Sequence, residues 1–303
     1  MRMNPQIRGV LPVLHMPFHE DYTIDFDVLE KEVEFLIHAG CDGITLALAS
    51  ELLRLTRDER LELSRKLPEM AGGRVTVTIS VGAETAREAA IFAEAAERAG
   101  ADAVMAIPPV ATILPGLRIY EYYKTIHDAI NIPLVVQDAS GYLGHSISTE
   151  LQARLSDELG ERIYFKPEAQ PMGPVLSRLQ ELLNHNGVVF EGSGGLYLVD
   201  SYRRGISGTM PGSDLIRGIV VIWKALEEGD DKRVYQVYFP VASLLLLQLP
   251  ALDTYLALEK YLLFKQGVFK NYLLRQPAAF GLDPYTAQEA DRLFIYYKAA
   301  LGK

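Results

Sequence analysis

The 303-residue sequence predicts a (β/α)8 (TIM) barrel over residues 1–228, followed by a helical extension over residues 229–303. Three observations predict it. Short β-rich runs alternate with amphipathic helical stretches from about residue 9 to about residue 228. Two segments, Ala39-Gly-Cys-Asp-Gly43 and Ala99-Gly-Ala-Asp-Ala103, repeat almost literally at a separation of 60 residues, from position 39 to position 99. That separation equals two βα units of roughly 30 residues each. Finally, no Gly-x-Gly-x-x-Gly follows the first strand, where an open dinucleotide-binding sheet would place it.

The expected strands cover residues 9–16, 43–47, 75–81, 103–107, 133–137, 162–166, 188–191 and 205–209. Helices lie between them, for example over 26–39, 86–99 and 176–183. Each copy of the repeat ends a helix on glycine and restarts a strand, the stop signal a βα unit needs. Beyond residue 229 the pattern becomes purely helical, over 232–247, 252–266 and 286–300, with a proline-containing loop at 275–284.

Composition narrows the function. The net charge of −9 is spread out and no basic block occurs, which argues against nucleic acid or anionic membrane as partner. Cys41 is the only cysteine, so no intrachain disulfide can form, and a reducing, cytoplasmic compartment is the simplest expectation. Residues 1–10 lack an apolar signal core. The most apolar stretch, 241–252, is too short for a membrane span and is interrupted by Gln248 and Pro250. His15 and His19 follow the first strand, but no third ligand stands at metal-site spacing, so no metal is expected.

Lys166, in Arg162-Ile-Tyr-Phe-Lys166-Pro-Glu168, falls at the C-terminal tip of the sixth strand. Strand tips at that face carry the chemistry of such barrels. An amine walled in by apolar neighbours is biased toward its neutral form and can condense with a ketone as a Schiff base. Without the barrel, a strand-end lysine would simply reach solvent. Glu168, two residues on, points the same way in an extended segment. It either acts as acid and base beside the imine or caps the helix that starts near Pro171. Gln137, at the tip of strand five, can orient a substrate group but cannot relay protons at neutral pH. Its neighbour Asp138 points the other way and reads as structural.

With the lysine on strand six, the chain resembles the dihydrodipicolinate synthase / N-acetylneuraminate lyase superfamily over nearly its full length. The matching pieces are Pro12-Val-Leu-His-Met-Pro-Phe18, Glu51-Leu-Leu-Arg-Leu-Thr-Arg-Asp-Glu-Arg60, Ile107-Pro-Pro109, Tyr164-Phe-Lys-Pro-Glu168 and Gly205-Ile-Ser-Gly-Thr209. The resemblance implies a lysine-imine lyase without a separate cofactor, a small 2-keto acid as substrate, and a homo-oligomer, by family habit a tetramer. It also implies where substrate is held. The loop after strand two, with Ala49 and Ser50, would take its carboxylate, and Gly192 and Ser193 after strand seven its polyol part. Gly208 and Thr209 would line the pocket at strand eight, and Glu51 would tie down its own loop.

The departures are informative. The family's Gly-Thr-Thr-Gly-Glu after strand two is here Ala47-Leu-Ala-Ser-Glu51, its strand-five tyrosine is Gln137, and the tyrosine after Pro109 is missing. The threonine–tyrosine relay of the lysine-biosynthetic synthase is therefore dismantled. What remains resembles the branch that dehydrates 2-keto-3-deoxy sugar acids such as 2-keto-3-deoxyarabonate. Two alternatives stand: a retro-aldol lyase releasing pyruvate plus an aldehyde, and a non-catalytic keto-acid-binding barrel. Tyr142 could return a phenol to the site from a neighbouring loop.

Overall fold

The computed structural model describes residues 7–144 and 146–302. Eight parallel strands form the barrel: β1 (Gly9–Val10), β2 (Gly43–Leu46), β3 (Thr76–Ser80), β4 (Ala103–Ala106), β5 (Leu134–Asp138), β6 (Ile163–Pro167), β7 (Phe190–Glu191) and β8 (Gly208–Thr209). They pair in the orders β2-β3-β4-β5-β6 and β1-β8-β7. Parallel bridges from Val13 to Thr45 and from Phe165 to Val189 join the two sheets and close the circle.

β1 is shorter than the expected 9–16, because Pro12 has no N–H to donate. The segment nevertheless stays extended, with Leu11 N donating to Thr209 O (2.9 Å) and Leu14 N to Thr45 O (2.9 Å). The other strands fall within a residue or two of their expected positions. The last two are trimmed: Val189 is held by a single bridge to Phe165, and Gly205 (φ 86°) still belongs to the turn that follows the preceding helix.

Helices connect the strands: α1 (Phe26–Ala39), α2 (Arg57–Ala71), α3 (Ala86–Arg98), α4 (Gly116–Asp128), the single turn α5 (Ser140–Leu143), α6 (Thr149–Leu159), α7 (Met172–Leu182), α8 (Leu198–Arg203) and α9 (Ile216–Glu228). The near-literal repeat now has a physical explanation. Gly40 (φ 87°) and Gly100 (φ 94°) take the left-handed conformation that ends α1 and α3. The aspartate two residues later clamps the neighbouring strand, with Asp42 Oδ2 accepting from Val10 N and Asp102 Oδ2 from Val77 N, each at 2.8 Å.

Two apolar layers follow from the alternation of strand residues. Val135 on β5, Tyr164 on β6, Met105 on β4 and Phe190 on β7 fill the barrel interior. Leu134, Val136, Ile163 and Phe165 face outward into the layer shared with the helices. The chain ends in α10 (Asp231–Gln248), α11 (Leu252–Lys265) and α12 (Pro284–Ala300). No helix among the described residues is long and apolar enough to cross a membrane.

Candidate active site

Strand parity and register bring the site together. Gln137 is the β5 residue paired with Lys166 on β6, and both share the inward parity of Val135 and Tyr164. Glu168 continues that parity beyond the end of β6. Lys166 Nζ lies 2.7 Å from Glu168 Oε1, with both side chains about 5 % exposed or less. Gln137 Nε2 donates to the same oxygen at 3.0 Å. Glu168 therefore does not cap α7. Asp138 keeps the structural role expected of it, accepting from Ser140 N (2.9 Å) and Ile147 N (3.0 Å).

Two buried polar atoms of this trio, Glu168 Oε2 and Gln137 Oε1, have no hydrogen-bond partner among the described residues. Buried polar atoms are normally paired, so orphans at a cavity wall mark where a bound molecule would complete the network. Burial pushes the Glu168 carboxyl above the usual carboxylate range, a rise that Lys166 and Gln137 only partly offset. With the amine 2.7 Å away, the carboxylate can take the ammonium proton directly, leaving the amine free to attack a ketone.

Lys166, Glu168 and Gln137 line a cavity of about 20 Å³ together with Ala47, Leu48 and Ala49 after β2, Gly192 after β7, and Met210 after β8. That is room for one water-sized particle. A second cavity of about 260 Å³ shares Glu168 and Gly192 and adds Gln170, Met172, Ser193, Leu196 and Tyr197. Gly192 is the hinge between them. A Cβ there would lie 2.6 Å from Glu168 Oε1 and 2.8 Å from Lys166 Cε, so only glycine leaves the pair its space. A larger cavity, about 530 Å³ and lined by Arg8, Asp42, Ser207 and Trp223, opens at the opposite end, where the strands begin. None of the lysine trio reaches it.

The other sequence-derived candidates divide. Ala49 and Gly192 line the inner cavity and Ser193 the outer one. Ser50 does not reach either. It sits in a tight turn (Leu48–Ser50) where its Oγ accepts from Ala47 N (3.0 Å) and donates to Leu14 O (2.6 Å). Thr209 has the outward parity, and its hydroxyl donates to Glu191 Oε2 at 2.6 Å. Gly208 is packed against Gly9, and Met210 takes the wall position at that strand. The Tyr142 side chain lies outside the described part of the structure.

Glu51 holds its loop to the extension. It pairs with Lys260 of α11 and accepts from Arg275 N at 2.9 Å. Lys260 is fully buried and also donates to Leu273 O at 2.7 Å.

Sequence reasoning missed the extension's share of the site. Leu252 and Tyr255 of α11 close one wall of the inner cavity. It also missed a buried charged network behind that wall. His15 pairs with Glu259 of α11 and meets Ser213 Oγ at 2.9 Å, while Ser213 donates to Glu32. Gln248 Nε2 donates to Asp214 at 2.7 Å. The run of one polar residue per helical turn, Tyr255 to Glu259 on α11, was the available signal, but nothing local said which face looked into the barrel.

Known proteins resemble this chain in sequence and in fold. The family model described as "Dihydrodipicolinate synthetase family" matches residues 6–291. L-2-keto-3-deoxyarabonate dehydratase of Azospirillum brasilense is 33% identical over 250 residues, covering 79% of this chain and 80% of that protein. 4-Hydroxy-tetrahydrodipicolinate synthase of Chlorobium phaeobacteroides is 30% identical over 176 residues, 58% of this chain and 60% of that one. Among solved structures, dihydrodipicolinate synthase from Rhodopseudomonas palustris superposes with a TM-score of 0.89 at 23% identity, covering 98% of this chain and 99% of that chain. A likeness at that identity speaks to the fold.

Proposed function

The chain belongs to the dihydrodipicolinate synthetase family, and on that premise we propose that it is a lysine-imine dehydratase acting on a 2-keto-3-deoxy sugar acid such as 2-keto-3-deoxyarabonate. The observation that carries this reading is the buried trio of Lys166, Glu168 and Gln137, with a carboxylate where acid–base chemistry is needed and an amide where a phenol would serve a relay.

In this reading the ketone condenses with Lys166 and releases water. The cationic imine is the electron sink, so no separate cofactor is required. It acidifies the C3 proton, which passes to the unpartnered Oε2 of Glu168. The resulting enamine expels the C4 hydroxyl, and hydrolysis frees Lys166 and a dehydrated keto acid. Acid–base help of this kind contributes a factor of about 10² to 10⁴. Gln137, unable to exchange protons, orients the keto acid. The inner cavity would hold the reacting carbons once the trapped space widens, and the outer cavity, with Ser193, the polyol end. The similarity to a protein named for dehydration of a keto-deoxy acid, over four-fifths of its length, supports the substrate class.

We further propose a cytoplasmic homo-oligomer. Exposed Phe239 and Leu246, seven residues apart on one face of α10, offer an apolar surface for it.

Product analysis tests the reaction. Incubated with 2-keto-3-deoxyarabonate, the protein should yield a keto acid one water lighter. Pyruvate with an aldehyde as the products would overturn dehydration in favour of carbon–carbon cleavage.

A further inference from the structure

Elimination of the C4 hydroxyl needs a proton donor, and the groups around the inner cavity leave few choices. Lys166 is consumed as the imine, Glu168 holds the C3 proton, and Gln137 cannot exchange one. Among the described residues, the remaining lining residue that carries an exchangeable proton is Tyr255.

Its hydroxyl position is fixed by two glycines. A Cβ on Gly194, in the loop after β7, would lie 3.1 Å from the Tyr255 oxygen, and one on Gly212, after β8, would lie 2.9 Å from it. The phenol end thus occupies space that two barrel loops leave open by having no side chain, at the same end of the barrel as Lys166. The same absent Cβ of Gly212 would stand 1.6 Å from Glu259 Oε1. The hydroxyl and that carboxylate, one turn apart on α11, are therefore close neighbours across Gly212. The other oxygen of Glu259 is tied to His15, which fixes the carboxylate in place. Tyr255 itself is only 5 % exposed.

We propose that Tyr255 of the C-terminal extension is the acid that protonates the departing C4 hydroxyl, an assignment that rests on the dehydratase reading. The steps balance. The C3–H bonding pair enters the imine to form the enamine, and Glu168 takes the proton. The enamine pair then forms the C3–C4 double bond as the C4–O bond breaks. Tyr255 gives its proton to that oxygen, and water leaves. The phenolate recovers the proton held by Glu168 through the released water.

The test separates the steps in Tyr255→Phe. Borohydride trapping with 2-keto-3-deoxyarabonate reads imine formation, deuterium wash-in at C3 reads proton abstraction, and product formation reads loss of the C4 hydroxyl. Trapping and wash-in should stay within about threefold of wild type, while product formation falls by about 10² to 10⁴. Retained trapping also shows that the variant is folded. Product formation at the wild-type rate would overturn the assignment, as would wash-in that falls in step with product. Failure of the dehydratase reading shows elsewhere, as pyruvate released by the unaltered protein.

Discussion

Lys166 Nζ and Glu168 Oε1 stand 2.7 Å apart at the end of β6, both buried, with Pro167 between them. Two residues of one extended segment thus present an amine and a carboxylate to the same small cavity, and the carboxylate's second oxygen is left open. Period-two geometry within one segment sets the amine and the carboxylate side by side, and Gln137 of β5 holds the carboxylate from the neighbouring strand at 3.0 Å.

Glu168→Gln keeps size and hydrogen bonding but removes the proton acceptor. Without an acceptor for the ammonium proton it should form the imine more slowly, and it should lose C3 proton exchange by about 10² to 10⁴. Because burial raises the Glu168 carboxyl, activity in the unaltered protein should be lost as pH falls through a midpoint above 4.5, the ordinary glutamate value. Deuterium exchange at C3 measured against pH checks both. Undiminished exchange in the variant would remove Glu168 from the chemistry.

Gly192→Ala adds one methyl group where Glu168 Oε1 and Lys166 Cε already stand, 2.6 and 2.8 Å from the new atom. Gly192 is not among the residues with positive φ, so backbone strain is not part of the effect. Displacing the pair by a fraction of an ångström to an ångström should cost about 10²-fold in kcat/KM. Steady-state kinetics beside a melting curve would show a large loss of rate with little loss of stability. Near-normal rates would mean that the pair is not constrained as described.

Lys260→Met leaves buried Glu51 with only the longer contact to Arg54, at 3.5 Å, as a cation partner. Breaking a buried pair from one side typically costs about 3–5 kcal/mol. Urea denaturation should show a loss of that order, and the loop bearing Leu48 and Ala49 should become less protected in hydrogen exchange. A loss under about 1 kcal/mol would show that the pair is not what ties this loop to α11.

His15 supplies a pH signature. Burial alone would lower its pKa, but the carboxylates of Glu259 and Glu32 outweigh burial and raise it to about 10. A histidine that binds its proton more tightly when folded stabilises fully below its unfolded value of 6.5, and that contribution is lost as pH rises toward 10. The Asp214 carboxyl in the same network is likewise raised, by burial and by Glu259. Lys260, pushed down to about 8 mainly by burial, has the opposite sign above that pH. Between pH 6.5 and 8, stability should therefore fall, by up to about 1.4 kcal/mol per pH unit for the His15 proton. Nitrogen-15 spectra of the imidazole should show no titration in that window, and a midpoint near 6.5 would contradict the pairing.

Much of this was legible in the sequence. The β5 and β6 alternation placed Gln137, Lys166 and Glu168 on one side and Asp138 on the other, because period-two geometry is local. The glycine–aspartate repeat announced the βα units for the same reason. Ser50 was not legible, since a hydroxyl beside a tight turn can serve backbone or substrate and only the folded turn decides. Thr209 looked like pocket lining because one residue of register separates it from Met210. Tyr255 and Glu259 could not be placed at all. They reach the site through packing of α11 against the barrel mouth, and nothing within that helix names its partner.

Reductive trapping tests the central claim most directly. Treated with a 2-keto acid and borohydride, then digested and weighed, the protein should carry the added mass on the peptide containing Lys166, and Lys166→Arg should carry none. An adduct on another lysine, or turnover that survives the arginine substitution, would contradict the account.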